Sequence, residues 1–305
     1  MNLALQIIIF FLTAFIILKG ADWFVGSAVA IAEGVGISKA LIGATIVSLA
    51  TTAPELCVSS FAALSNHSQM ALGNATGSVV CNIGLFGFCV LISTIAIKRE
   101  ILLAQGLMML AAGFLLYLLS RSGVINRSGS LLLLICLTVY LWFSFKKVKE
   151  KYQRKKEFAL VKNLLFFILG ATLVVGGSRV LVFSGVKIAT FLGIPELIIS
   201  ASLVALGTSL PELITSLTAL FKGQIEISAA NIIGANIFDI LLVVGGSAFI
   251  SPLPIAPQTK SLILPVMLLL MSLMIVFGWT KKKYQRWEGI VLFSIYCSYL
   301  FLLLL

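Results

Sequence analysis

Four of the eleven acidic residues, Asp22, Glu55, Glu212 and Asp239, fall well inside long apolar segments. An ionisable group at membrane depth is costly and is usually kept for handling ions or protons. Two of the four share a local sequence: Glu55 in ATTAPEL (Ala50 to Leu56) and Glu212 in GTSLPEL (Gly207 to Leu213) each follow a proline. Proline lacks an N–H, so Pro54 and Pro211 release carbonyls one turn earlier, near Ala50/Thr51 and Gly207/Thr208, from the helical ladder. Such carbonyls need another partner inside a membrane, and a cation supplies one. Around Glu55, the residues Ser48, Thr51, Thr52 and Ser59 stand at i−7, i−4, i−3 and i+4, which is one helix face; Thr208, Ser209 and Ser216 repeat the pattern around Glu212. A second polar face carries Asn74, Ser78 and Asn82 at i, i+4 and i+8, and its counterpart carries Asn231, Ala235 and Asp239. The donors are hard oxygens without His or Cys, which favours sodium, calcium or similar ions over zinc or copper.

The elements that must position these groups follow from hydropathy. The 305-residue chain is 60% hydrophobic and 11% charged, with a mean hydropathy of +1.13, far from the composition of a soluble domain. Apolar stretches long enough to cross a bilayer are expected at about 3–29, 40–64, 70–95, 103–120, 128–145, 163–189, 196–221, 228–250, 259–279 and 286–305. The expected fold is therefore an all-α polytopic membrane protein with ten transmembrane helices.

Sliding the sequence along itself gives an ungapped match at an offset of 157 residues. It runs from Gly20/Gly177 through Gly36/Gly193, Thr51/Thr208, Pro54/Pro211, Glu55/Glu212, Ser59/Ser216, Asn74/Asn231 and Gly77/Gly234 to Ile83/Ile240. Five spans separate equivalent points, and an odd number makes the second copy enter from the opposite face. The expected organisation is two inverted five-helix repeats, 1–145 and 163–305, joined by a basic linker at 146–162. Asp22 and Arg179 are repeat-equivalent, so they are expected to meet where spans 1 and 6 cross, unless Asp22 pairs with Lys19 one turn away.

The net charge of +11 invites a nucleic-acid reading, but the placement of the charges explains it otherwise. Sixteen of the 22 Lys and Arg fall on one side once loops alternate, eight of them between Lys146 and Lys162. The positive-inside rule then makes the linker cytoplasmic and puts both termini outside; no nucleic-acid partner is implied, and no obligate protein partner. The linker reads as a solvated, topology-fixing loop in preference to a site for anionic lipid. With no basic residue before Lys19, the first span is expected to be retained and not cleaved as a signal. The five cysteines fall within spans without metal-type spacing, and His67, the sole histidine, falls in a loop without a nucleophile, so an enzyme is not expected.

The two Pro-Glu segments, followed by GNATGSVVCNIG (Gly73 to Gly84) and ANIIGANIFDIL (Ala230 to Leu241), resemble the paired alpha repeats of the cation/calcium antiporter superfamily, and within it the prokaryotic sodium/calcium exchangers. The resemblance covers the whole chain. It implies transport of Ca2+ against Na+ by alternating access, without a cofactor, in a prokaryotic plasma (inner) membrane. Carried over position by position, it implies a site of Glu55, Asn82, Glu212 and Asp239, the hydroxyls of Thr51, Thr52, Ser78, Thr208 and Ser209, and backbone carbonyls near Ser48 and Ala205. The chain departs from the family pattern at Ala235, usually serine, at Val79, usually asparagine, and at Ala50, usually glycine.

Charge arithmetic points the same way. Three ionised carboxylates give the empty site about −3, which one divalent or up to about three monovalent cations largely offset in a low-dielectric setting, so the empty carrier crosses reluctantly. A proton/calcium exchanger and, from a different class, a cation channel are the alternatives at this point. Sodium dependence separates the first, and saturable counterflow the second.

Overall fold

The computed structural model describes residues 3–97, 99, 102–146, 159–193, 205–281 and 283–304. Most of the basic linker, 147–158, lies outside the described residues, as does the start of the seventh expected span. The described chain is helical apart from four two-residue strands. Helix α1 spans Leu3–Val35, six residues beyond the expected end, and is followed by α2 (Lys39–Thr51), α3 (Ala53–Leu64) and α4 (Ser68–Ile92). Next come α5 (Leu102–Ser120), α6 (Arg127–Lys146) and α7 (Leu160–Phe191). The remainder comprises α8 (Ala205–Thr208), α9 (Leu210–Phe221), α10 (Ile225–Ile250), α11 (Thr259–Thr280) and α12 (Arg286–Leu304). Among the described residues eight helices are long and apolar enough to cross a membrane, and α2 with α3, bent by 43° at Thr52, makes a ninth. The protein is a multi-pass membrane protein.

Burial separates two kinds of helix. In α10, 94% of the most apolar 18-residue stretch is buried, and 78% in α4, against 22% in α1 and in α7. Helices α4 and α10 thus form the centre, while α1 and α7 lie against each other at the periphery. Small residues permit that crossing: a Cβ at Gly20 would strike Leu173, and one at Gly170 would strike the Gly20 carbonyl and the Phe24 backbone. The centre is closed similarly, with Gly87 of α4 against Gly289 of α12, and Gly234 of α10 against Ala44 and Ser48 of α2. Tyr140 of α6 donates to the Ala44 carbonyl at 2.7 Å, occupying an acceptor within the π turn Gly43–Val47.

Local geometry recurs at the 157-residue offset. Gly36 and Gly193, which end α1 and follow α7, both take positive φ (80° and 74°), as do Asn66 and Gly223 after α3 and α9 (62° and 69°). Glycine, and asparagine next to it, are the residues that tolerate this left-handed helix exit. The π turns Leu102–Gly106 and Thr259–Ile263 are equivalent as well. The strands β1 (Ile95–Ala96), β2 (Val124–Ile125), β3 (Leu253–Pro254) and β4 (Lys283–Tyr284) pair across the halves, Ile95 opposite Tyr284 and Val124 opposite Pro254. Each half therefore clamps the other at two loops.

The expected meeting of Asp22 with Arg179, or with Lys19, is corrected. Lys222, at the end of α9, pairs with Asp22 Oδ1 at 3.1 Å and donates to the Asp22 carbonyl at 2.9 Å. Helices α1 and α7 do cross, but the loop after α9 reaches Asp22 over the small surface of Gly26.

Candidate cation site

Both glutamates occupy the first turn of a helix that begins at a break. Thr52 ends α2, and α3 restarts with Pro54 in its first two positions and Glu55 next; Ser209 separates α8 from α9, where Pro211 and Glu212 repeat the arrangement. Proline is tolerated there because the first-turn N–H groups have no helical acceptor in any case. The same unsatisfied N–H groups give the helix start positive character, which favours a carboxylate. The break thus positions each carboxylate as well as releasing carbonyls.

The carboxylates converge although Glu55 and Glu212 are far apart in sequence. Glu55, Glu212 and Asp239 each lie within electrostatic reach of the other two, and each is 1% exposed. Thr51 and Thr52 of the first half approach Glu212 of the second, Thr52 without hydrogen-bond geometry. Asn82 of α4 donates to Asp239 Oδ2 at 3.3 Å and to Asn236 Oδ1 at 3.2 Å, both on α10. The ladder of α10 widens into a π turn at Asp239–Val244, starting at the carboxylate itself. Single π turns are frequent at functional sites.

Among the described residues, many oxygens here have no hydrogen-bond partner. Both oxygens of Glu55, Glu212 Oε2, Asp239 Oδ1, Asn82 Oδ1, Ser78 Oγ and Ser209 Oγ are buried and unsatisfied. A buried polar group without a partner costs on the order of 1–3 kcal/mol, and more when charged. Hard oxygens of these kinds are the ligands that ions such as sodium and calcium use. Among the described residues no three His, Cys, Asp or Glu are grouped as a resident metal centre would have them. The unpaired oxygens are carboxylate, amide and hydroxyl in mixture.

Other expected residues have defined surroundings. The Ser48 carbonyl accepts from the Thr52 N–H at 2.8 Å and from Thr51 Oγ1 at 3.1 Å, and its hydroxyl donates to the Gly43 carbonyl and to the Asn231 carbonyl. As a cation ligand it would share or exchange those bonds. Thr208 ends α8 and lines two cavities, one shared with Ser78 and Asn74 and the other with Pro54 and Pro211. Ala205 is the first described residue of α8.

Flanking the site, Asn74 Nδ2 donates to Ser59 Oγ, which donates to the Ala71 carbonyl; Asn231, Ser216 and the Ser228 carbonyl repeat this at the 157-residue offset. Sequence reasoning missed Asn236, whose amide also donates to Met109 Sδ at 3.5 Å. The signal was the mismatch at its repeat partner: Val79 stands where Asn236 stands in the other copy.

Comparison with known proteins places these features. Residues 5–146 and 162–305 match the family described as sodium/calcium exchanger protein. The chain is 29% identical to the sodium/calcium exchanger MaX1 of Methanosarcina acetivorans, over 94% of this chain and 95% of that protein. It is 31% identical to the inner membrane protein YrbG of Escherichia coli, over 91% and 90% of the two chains. It superposes on the structure of the sodium-calcium exchanger NCX_Mj soaked with 10 mM Na+ and zero Ca2+ with a TM-score of 0.86 and 29% identity, covering 97% of this chain and 98% of that one.

Proposed function

The chain belongs to the sodium/calcium exchanger family, and from that premise we propose that it exchanges Na+ for Ca2+ across a membrane, exposing one shared carboxylate cluster to each side in turn. The observation that carries this reading is the group of buried, unsatisfied oxygens on Glu55, Glu212, Asp239, Asn82, Ser78 and Ser209. In the proposed site Ca2+ is held chiefly between Glu55 and Glu212, where two carboxylates supply the charge a divalent ion needs. Sodium ions take adjacent positions that share the same carboxylates with Asp239 and the hydroxyls of Thr51, Thr52, Ser78, Thr208 and Ser209. The carbonyls of Ser48 and Ala205 complete the shell. Shared ligands make the ions mutually exclusive, and that exclusion couples their movements.

Ten spans, arranged as two inverted repeats at 1–145 and 163–305, complete the proposal. The recurring left-handed exits, π turns and Ser-Asn networks, together with the crosswise strand pairs, support it. Inverted repeats place the substrate at their interface, and one copy moves against the other in alternating access. Here α1 and α7, little buried and packed on each other through glycines, are the elements able to slide over the α4–α10 core. The charge bias puts both termini outside and the 146–162 linker in the cytoplasm of a prokaryotic plasma membrane.

Calcium uptake into proteoliposomes, with and without an imposed sodium gradient, tests the proposal. Uptake driven by outward sodium and saturating with Ca2+ is expected. Uptake that follows a pH gradient and ignores sodium would replace Na+ by H+ as counter-ion; uptake without saturation or counterflow would indicate a channel.

A further inference from the structure

Helix α1 is tied to the turn between α9 and α10 by charge as well as by packing. Asp22, Gly26, Val29 and Glu33 stand at i, i+4, i+7 and i+11, one face of α1. Midway along it, Val25 and Val29 pack on Ala219 of α9 and Ile227 of α10. At one end Lys222 pairs with Asp22 Oδ1 at 3.1 Å and donates to the Asp22 carbonyl at 2.9 Å. At the other end Lys39, the first residue of α2, pairs with Glu33 at 3.2 Å and donates to Gln224 of the same turn at 3.0 Å. Two ion pairs, three turns apart on α1, thus flank a small apolar contact. The same pairs cannot form in the other half. At the 157-residue offset Arg179 and Ser65 stand for Asp22 and Lys222, and Thr190 and Glu196 for Glu33 and Lys39, so neither couple joins opposite charges. The packing differs in the same sense: Ile227 is fully buried, while Met70 in its place is 61% exposed.

We propose that Lys222 and Lys39 form a one-sided latch, which holds α1 against the α9–α10 turn and stabilises the state in which the cation site is closed to the face bearing that turn. This rests on the reading that α1 and α7 slide over the α4–α10 core during exchange. In inverted repeats the two halves trade conformations when the site changes sides, so a contact present in both halves cancels between the two states. A contact present in one half does not cancel, and it weights the equilibrium by its own free energy. The face concerned carries the α1–α2 and α9–α10 turns and is cytoplasmic in the proposed topology. The paired side chains are 23% to 51% exposed, and ion pairs open to water are weak enough for α1 to let go in every cycle.

The test measures half-saturating Ca2+ for sodium-driven exchange in right-side-out and in inverted membrane vesicles. A site open to one face part of the time binds from it with proportionately lower apparent affinity, so the ratio between the two faces reads the equilibrium. Lys222→Gln is expected to strengthen apparent Ca2+ binding at the cytoplasmic face relative to the outer face about 3-fold at low salt, the strength of an exposed ion pair. Lys39→Gln moves the ratio the same way, and it decides the matter if the Lys222 variants fail to assemble. Lys222→Asp shifts the ratio further, about 10-fold, because like charges then face each other at Asp22. Adding Asp22→Lys to Lys222→Asp brings it most of the way back. High choline chloride reduces the difference between Lys222→Gln and the parent. The parent's ratio in both Lys222→Gln and Lys39→Gln, a shift in the opposite sense, equal changes at the two faces, or no recovery in the exchanged pair overturns the latch. If the parent vesicles show saturable sodium-driven exchange, only the latch is then rejected; if they show none, the exchange reading falls with it.

Discussion

Helices α4 and α10 are copies of one another at a 157-residue offset, yet they meet the site differently. Helix α4 runs unbroken through Asn82, while α10 widens into a π turn at the equivalent Asp239. Three other positions differ in chemistry: Ser78 against Ala235, Val79 against Asn236, and Cys81, bonded to Tyr296, against Phe238, stacked edge-on to Tyr140. The copies have become complementary. Asn82 binds across to both Asn236 and Asp239, an arrangement that needs an amide on one side and a carboxylate on the other. A carboxylate at both places would bring a fourth negative charge against three, without the N–H that bridges them.

The Pro-Glu turns, by contrast, have stayed alike, and removing one charge there is expected to have the largest effect. Glu55→Gln and Glu212→Gln should each reduce sodium-driven calcium uptake by about 100-fold or more with the protein still in the membrane, since each removes both charge and ligand from a shared site. Near-normal flux in either variant would place the calcium elsewhere.

Making the two second helices alike tests their complementarity. Asn82→Asp is expected to slow exchange on the order of 10-fold, about 1.4 kcal/mol, because the amide bridge is lost and a further charge must be offset in each cycle. An Asn82→Asp protein as fast as the parent would mean that the asymmetry is incidental.

A smaller change goes the other way. Ala235 lacks the hydroxyl that Ser78 carries, and Ala235→Ser restores an oxygen one turn before Asp239. Half-saturating sodium for competition against calcium should fall about 5-fold, the equivalent of about 1 kcal/mol for one hydrogen-bond-like contact, with calcium affinity little changed. Sodium competition identical to the parent would remove position 235 from the ligand set.

The smallest expected effect concerns the network the halves keep in common. Asn74→Ala and Asn231→Ala each remove one amide bond to Ser59 or Ser216, and each should cost about 1 kcal/mol of thermal stability in detergent. A loss confined to one copy would show that the two networks, equal in geometry, are unequal in energy.

Much of this was legible before the fold. Buried carboxylates behind prolines, hydroxyls on one face and the 157-residue repeat depend on local spacing, and spacing along a helix fixes which side chains share a face. The release of carbonyls ahead of Pro54 and Pro211 is likewise local, because it depends only on proline's missing N–H. The partner of Asp22 was not legible, because repeat symmetry names Arg179 while the turn after α9 delivers Lys222. Asn236 escaped notice because it sits at a position where the other copy carries valine.

The sequence by itself determined that apolar helices cross a membrane, that two related halves each present a glutamate at a helix start, and that the donors are hard oxygens. Each is a property of residues close together in the chain, governed by hydropathy and backbone chemistry. The tertiary structure alone decided that three carboxylates separated by up to 184 positions come within reach of each other. It decided also that Asn82 bridges to Asp239. These depend on how closely helices approach, which is set where Gly234 meets Ala44 and Gly87 meets Gly289; at such crossings the absence of a side chain determines the distance, and only packed backbones reveal which glycines meet.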